Sequence, residues 1–531
     1  MLLKTSRNSP FLASCHSLYF AKSILFYPLL ASYNFFYFAK CHLFIVLLAS
    51  YKNIFMDDIV GREVEKQLLS QIENSGEAEL VAVYGRRRVG KTYLIRTYFQ
   101  RQMAFELSGV HSATREQQLE NFSAALSKAS GSLPLATPVS WFSAFAMLQT
   151  HLAPIVKKKR TVIFIDEFPW LSTPRSGFMQ AFENFWNMWA SRQPNLVVII
   201  CGSAAAWMIQ KVINNRGGLH NRLTHRIRLQ PFTLSETAAF FAARKINLDQ
   251  YQVLQLYMAM GGIPQYLKEV KTGESAMQAI DRACFTKDGL LYDEFKNLFH
   301  SLFDNPAYHI DVVRALAKKG IGMTRGEIIT ACKLTSGGGT TQVLDELTES
   351  GFITPYIPFG KKAKDSVYKL ADEYSNFYIK FIEGSRQAGA GSWLKFSAGQ
   401  SWKSWSGSAF ESICMKHEVQ IKRALGIESV HTETSAWRHH PKENEQGVQI
   451  DMLIDRQDRC INICEMKFSI GEFELTKGYA AELQHKISTF RDHTKTRKTL
   501  FLTMITTHGV KNKAQYAGLV QSEVTMAALF K

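Results

Sequence analysis

Three short segments carry residue types at spacings that could act on phosphates. The first is GRRRVGKT, made of Gly85, Arg86, Arg87, Arg88, Val89, Gly90, Lys91 and Thr92. It matches G-x-x-x-x-G-K-[ST], in which the glycines let backbone N–H groups wrap phosphate oxygens. Lys91 would reach the β- and γ-oxygens and the Thr92 hydroxyl would ligate Mg²⁺. The second is TVIFIDE, which ends in Asp166, aimed at the same Mg²⁺, and Glu167, aimed at an attacking water. ATP and Mg²⁺ are the expected cofactors, with Lys91 and Glu167 as catalytic groups. The third is a C-terminal set of Glu411, Asp451, Glu465 and Lys467. Carboxylates of this kind hold Mg²⁺ or Mn²⁺ at an activated water, with Asp451 and Glu465 as the metal ligands, and the ammonium steadies the nucleophile or the charge that builds on phosphorus.

These residues need elements to present them. Leu80–Tyr84 is a short apolar run before the loop and Tyr93–Phe99 has helical spacing, so the order is strand, loop, helix. Thr161–Ile165 and Asn195–Cys201 are β-branched apolar runs expected of buried parallel strands, and together they predict an α/β fold. Ser203, just past the second run, is expected to sense the γ-phosphate or to cap the following helix. Arg222, in LHNRLTHRIRLQPF, is the expected arginine finger, in its own subunit or in a neighbour's within a homo-oligomer. Arg226 and Arg228 alternate on a strand, the pattern of a solvated face. Phe178, Phe182, Phe185 and Trp189 recur at helical spacing and predict core packing.

Residues 311–368 read as two helices, a Gly-rich turn, a third helix and a two-stranded wing. This is the outline of a winged helix-turn-helix. The third helix carries Asp345, Glu346 and Glu349 and no Lys or Arg, which would repel DNA phosphates. Wing-tip Lys361, Lys362 and Lys364 suit backbone phosphates instead. Further on, GSAFESICMKHEVQIKRAL is an amphipathic helix bearing Glu411, and QIDMLIDR and CINICEMKFS are alternating strands joined near Gln457 and Asp458. That hairpin brings Asp451 near Glu465, and Glu465 and Lys467 project from one face.

The order GRE (Gly61–Glu63), GRRRVGKT, FIDEFPW, a GSA strand end, IRLQPF and GGIPQYL (Gly261–Leu267) resembles the archaeal-type ATPases of prokaryotes, a branch of the AAA and STAND-like P-loop class. The resemblance covers most of residues 56–380. It implies GRE near the adenine, GGIP in a helical lid on the nucleotide side, and a winged-helix module. The C-terminal set resembles the PD-(D/E)xK nuclease fold, with Glu411 as leading-helix acid, Asp451 as central metal ligand and Glu465-x-Lys467 as signature pair. Ile450 replaces the proline that usually precedes the aspartate.

The expected organisation is therefore a repetitive leader (1–55), a P-loop NTPase core with a parallel sheet (56–230), a helical lid (231–304), a winged helix (305–383), a linker (384–407) and an α/β nuclease-like domain (408–531). A chain of 531 residues has room for several such units. The leader repeats YFAK and LLASY at an offset of 18 and holds no acid, and Met56 directly precedes DDIVGRE. Lys22, Pro28 and Lys40 interrupt every stretch that approaches a membrane span, so a membrane anchor is not expected.

Net charge is +17, of which Lys4, Arg7, Lys22, Lys40 and Lys52 supply +5, leaving +12 from residue 56 onward. A basic balance favours a polyanion such as nucleic acid as partner. Eight cysteines without paired CxxC spacing exclude a disulfide framework and a structural zinc site and fit a cytoplasmic location. The expected function is ATP hydrolysis coupled to nucleic-acid binding or cleavage. The alternative is a nucleotide-gated binding switch whose nuclease-like domain is inactive.

Overall fold

Sequence segments that are apolar on both faces can be buried only inside a layered sheet, and the strands order themselves accordingly. In the computed structural model, residues 59–214, 217–303, 305–384, 389–439 and 447–531 are described, so the leader 1–55 and the Met56 start lie outside the described residues. The first sheet holds β1 (Glu79–Tyr84), β2 (Met103–Ser108), β3 (Thr161–Asp166), β4 (Leu196–Gly202) and β5 (His225–Arg228), all parallel, in the order β2-β3-β4-β1-β5. Every residue of β3 and β4 is buried. Full burial of each Val, Ile or Phe contributes roughly 1.5–3 kcal/mol. The apolar runs thus stabilise the strands whose polar ends do the chemistry.

Helices cover both faces. Helix α1 (Glu63–Asn74) precedes β1, and α2 (Lys91–Tyr98) begins inside the glycine loop. Helix α3 (Trp141–Val156) and helix α4 (Phe178–Met188) pack together. Phe178, Phe182 and Phe185 are buried among Trp141, Phe145 and Phe168, with Phe145 and Phe185 stacked at 5.0 Å, so the aromatic stripe is core.

After β5 the chain forms α5 (Leu234–Ala243), α6 (Gln250–Met260), α7 (Ala276–Phe285) and α8 (Glu294–Leu302). Gly261 and Gly262 return it to the core: Phe232 N–H donates to Gly262 O at 2.6 Å and Tyr257 Oη–H to Phe232 O at 2.8 Å. Then come α9 (Ala307–Lys319), β6 (Met323–Thr324), α10 (Arg325–Cys332), α11 (Gly338–Glu349), β7 (Ile353–Tyr356) and β8 (Val367–Leu370), with the strands in the antiparallel order β6-β8-β7. A one-turn helix, α12 (Glu373–Phe377), follows.

Of the expected linker 384–407, the described residues 389–407 are instead packed. Residues Ser392–Ser397 are helical and α13 spans Gln400–Lys416. Trp393, Trp402 and Trp405 are buried against Phe377 and Phe381. The carboxylate of Asp281 accepts from the N–H groups of Gly391 (2.7 Å) and Trp393 (2.8 Å). Glycines and serines gave this stretch a linker composition, but its tryptophans find an apolar pocket in the fold.

The last sheet is β9 (Thr432–His439), β10 (Val448–Arg456), β11 (Cys460–Lys467), β13 (Thr499–Thr506) and β15 (Val520–Thr525) in the order β15-β13-β11-β10-β9, with a small β12–β14 pair (Phe473–Glu474, Val510–Lys511) beside it. Helix α14 (Lys477–Thr494) covers one face through Leu483 and Phe490. Helix α13 also packs on β11. Phe359, from the loop between β7 and β8, joins this core: its N–H donates to Ala436 O at 2.9 Å and its ring meets Phe490 at 5.2 Å. Cys464 is buried in β11, whereas Cys460 at its start is half-exposed. Among the described residues no helix is long and apolar enough to cross a membrane.

A Cβ at Gly262 would lie 1.9 Å from Phe232 O, too close for any backbone to tolerate unmoved. Gly262→Ala is therefore expected to destabilise the protein by about 1–3 kcal/mol or more, read as a lowered midpoint in urea unfolding.

Candidate functional site

The glycine loop is shaped by positive φ at Gly85 (137°), Arg88 (71°) and Gly90 (94°). Gly85 also has no room for a side chain, since a Cβ would lie 2.4 Å from Leu229 O. Lys91 is buried and its ammonium donates to Gly85 O and Arg86 O, each at 2.9 Å. Burial lowers its pKa, opposed by the nearby Cys201, Glu167 and Asp166. The Thr92 hydroxyl donates to Asp166 Oδ2 at 2.7 Å. Because β4 lies between β1 and β3, its end places Ser203 beside the acids of β3. Ser203 donates to Glu167 from Oγ (2.7 Å) and from its backbone N–H (3.2 Å). Glu167 itself has φ 45°, a left-handed conformation that aims its side chain across to Ser203. Ser203 is thus held to the carboxylate expected to position water, and it does not cap the next helix, whose N-cap is Ala204.

Two of the loop arginines, Arg86 and Arg88, reach acids outside this cluster. Arg86 pairs with Asp372, both almost wholly buried, and its guanidinium lies 4.9 Å over the Phe352 ring. Burial by itself would lower the Arg86 pKa, but Asp372 holds it above its ordinary value. Arg88 pairs with Glu294 of α8 at 2.9 Å, and Tyr266 Oη–H donates to the same carboxylate at 2.8 Å. Arg62 of the GRE motif braces the loop, donating to Val89 O (3.1 Å) and Gln230 O (2.7 Å).

Arg222 is elsewhere. In β5, His225 pairs with Val81 and Arg228 with Tyr84, the residue just before the loop. Arg222 lies three residues before His225, beyond the end of β5 away from the loop, and β5 alone spans about 10 Å at ~3.3 Å per residue. The structure therefore does not bring it to the phosphate loop of its own chain. Arg228 is the arginine at the loop end, and there it pairs with Glu349 of α11 at 3.1 Å. Arg226 and Arg228 are both exposed, as their alternation predicts, and Arg228 forms an inter-element ion pair from that face.

At the C-terminus, β10 and β11 run antiparallel with Met452 opposite Cys464, and one further step of that register sets Asp451 opposite Glu465. Lys467 lies 3.0 Å and Lys486 also 3.0 Å from the Glu465 carboxylate, which accepts from Tyr479 Oη–H as well. Burial would raise the pKa of Glu465, but Lys467 and Lys486 hold it below the usual carboxylate range. Asp451 accepts from Gln449 and lies 4.0 Å from Lys369 of β8. Glu411 and Asp451 line one cavity of about 800 Å³ with Lys369, Tyr356, Lys380 and Lys416. Burial, then the charge of Asp451, pushes the Glu411 carboxyl up to about 8. Among the described residues no group of three or more His, Cys, Asp or Glu is placed to hold a metal ion. The four expected residues do converge, but Glu465 is held by lysines and not by acids sharing a cation.

Residues 59–270 match the family described as an ATPase domain predominantly from Archaea. This segment is an ATPase domain of that type. An uncharacterized protein of Methanocaldococcus jannaschii is 23% identical over 414 residues, 77% of this chain and 87% of its own length. Among solved structures, the Walker-type ATPase of Pyrococcus abyssi matches at 20% identity over 61% of this chain and 96% of its own, with TM-score 0.46. The ORC2 protein of Aeropyrum pernix, in its ADPNP–ADP complexes, matches at 14% identity over 64% and 95%, with TM-score 0.40.

The ATPase domain ends before several groups that its loop depends on. Asp372 and Glu294, partners of Arg86 and Arg88, escape sequence reasoning because 286 and 206 positions separate the pairs and neither acid belongs to a motif. Lys369, Gln449, Tyr479 and Lys486 were likewise not legible around the C-terminal acids. The one available signal was the run of three arginines inside a phosphate loop, which is more cation than phosphate binding requires.

Glu411 has a pKa raised above its unfolded value, so the folded state favours its neutral form. Its contribution to stability is complete below about pH 4.5 and is lost as pH rises through about 8. In EDTA, Glu411→Gln should remove that loss, so that urea midpoints of variant and wild type diverge upward in the variant's favour between pH 5 and pH 8.5. Parallel midpoints across that range would contradict the environment described for Glu411.

Proposed function

We propose that the chain is a Mg²⁺-dependent ATP hydrolase whose nucleotide cycle governs how a winged-helix module and a nuclease-like C-terminal domain engage nucleic acid. The observation that carries the reading is the paired geometry at the strand ends: Thr92 to Asp166 at 2.7 Å and Ser203 to Glu167 at 2.7 Å. The two oxygens of the first pair are of the type that would hold Mg²⁺, which would neutralise charge on the β- and γ-phosphate oxygens. Lys91 is within reach of its own loop carbonyls and would exchange them for phosphate oxygens. Glu167 would accept the proton of the attacking water, and Ser203 fixes its orientation. An arginine finger from Arg222 would have to act on a neighbouring copy.

Nucleic acid as partner is supported by the +12 charge from residue 56 onward and by the exposed Lys361, Lys362 and Lys364. The acidic helix α11 would repel the phosphates that flank a DNA groove, and its Glu349 and Glu346 are already paired with Arg228 and His309. In the C-terminal domain, Glu411, Asp451, Glu465 and Lys467 form the set expected for phosphodiester chemistry. A second reading, a nucleotide-gated switch that binds without cutting, is favoured by the lysines that occupy Glu465 and flank Asp451. Cleavage would require those lysines to turn to the phosphate.

Two sets of measurements test this. Lys91→Ala should abolish ATP turnover, and Glu167→Gln should slow it by about 10²–10⁴-fold while ATP still binds. Turnover in Glu167→Gln equal to wild type would remove Glu167 from the mechanism. With labelled DNA or RNA and Mg²⁺ or Mn²⁺, any cleavage should disappear in Asp451→Ala. Wild type that binds the strand in an ATP-dependent manner without cutting would establish the switch.

A further inference from the structure

The buried pair Arg86–Asp372 joins the phosphate loop to the segment that supplies Lys369 to the C-terminal carboxylate cavity. Arg86 is the first residue after Gly85, and its carbonyl is one of the two that Lys91 holds. Its side chain crosses to Asp372, only three residues after Lys369 and directly before α12. Asp372 also caps α12, accepting from the Ser375 N–H at 2.9 Å. The next residue, Glu373, pairs at 2.5 Å with Lys416, the last residue of α13, the helix that bears Glu411. Glu373 packs against Gly261, where a Cβ would lie 3.0 Å from its Oε2.

The pair is incompletely satisfied. Arg86 Nε and Nη2 are buried with no hydrogen-bond partner, as is Nη1 of Arg88. A buried ion pair whose remaining donors are unmatched gains little net stability, because desolvation offsets much of its attraction. Entry of a triphosphate would draw Lys91 away from Arg86 O, and so act on the backbone of the residue whose side chain holds Asp372.

We propose that Arg86–Asp372 and Glu373–Lys416 form a two-step latch through which nucleotide at the phosphate loop repositions Lys369 and Glu411 about the C-terminal cavity. This rests on the reading of Gly85–Thr92 as an ATP site. Phosphate binding weakens the hold of Arg86 on Asp372, β8 and α12 shift together because Asp372 caps one at the end of the other, and Glu373 carries the shift to α13. Asp372 and Glu373 are positioning residues; neither touches nucleotide.

Hydrogen exchange on the full chain, read by mass spectrometry with and without ATP-Mg²⁺, tests the latch without requiring turnover or cleavage. In wild type, ATP should change exchange about threefold or more at residues 367–377 and at 409–418. Asp372→Asn should bind ATP and lose both responses. Glu373→Gln, which leaves the buried Arg86 pair intact, should keep the response at 367–377 and lose it at 409–418. ATP binding to wild type with no response at either segment, or both responses retained in either variant, would overturn the latch. Absence of ATP binding to wild type, measured by calorimetry, would instead overturn the ATP-site reading on which it depends.

Discussion

A parallel strand buried on both faces accepts only apolar side chains along its length, so polar chemistry is displaced to its C-terminal end. Strand β4 obeys this constraint and, by lying between β1 and β3, determines what meets at that end. With β4 in place, the loop after β1, the acids after β3 and Ser203 after β4 converge within hydrogen-bonding distance of one another. The left-handed backbone of Glu167 follows from the same crowding, because its carboxylate must turn toward the neighbouring strand to find Ser203. The remaining elements either shield this edge or connect to it.

Those connections are made of charge. Arg62, Arg86, Arg88 and Arg228 surround the phosphate loop, and the last three each cross to a carboxylate outside the sheet. A buried ion pair is a weak source of net stability, since desolvation offsets most of its attraction, yet breaking one leaves a buried charge that costs several kcal/mol, on the order of 3–5. Such pairs therefore fix which surfaces meet more than how tightly they are held.

How much of this was legible in the sequence follows from how local each feature is. Gly85–Thr92 and Asp166–Glu167 could be read because their function is written into consecutive residues and one strand type. Asp451, Glu465 and Lys467 could be read because a hairpin with a short turn has a nearly fixed register. Arg222 could be named by residue type, but which arginine lies at the loop of its own chain depends on position along β5, and that arginine is Arg228. Residues 384–407 were misread as a linker because composition registers glycine and serine but not the pocket that receives Trp393. The ion-pair partners were invisible for a plainer reason: an isolated acid 200 or more residues away leaves no pattern.

The C-terminal cavity shows the same logic in balanced form. Glu411, Asp451 and Glu465 supply three carboxyls, and Lys369, Lys467 and Lys486 supply three ammonium groups within or beside it. Lysines hold Asp451 and Glu465, while burial and the charge of Asp451 push the Glu411 carboxyl up to about 8. A phosphate backbone would compete for the lysines and a divalent cation for the acids, so each ligand releases the groups that the other needs. Two ligands that relieve each other's competition bind with positive coupling. Lys369 belongs to β8 and not to the C-terminal sheet, so the same exchange of partners depends on where the β7–β8 hairpin lies, and Phe359 fixes that hairpin against the β9–β10 core.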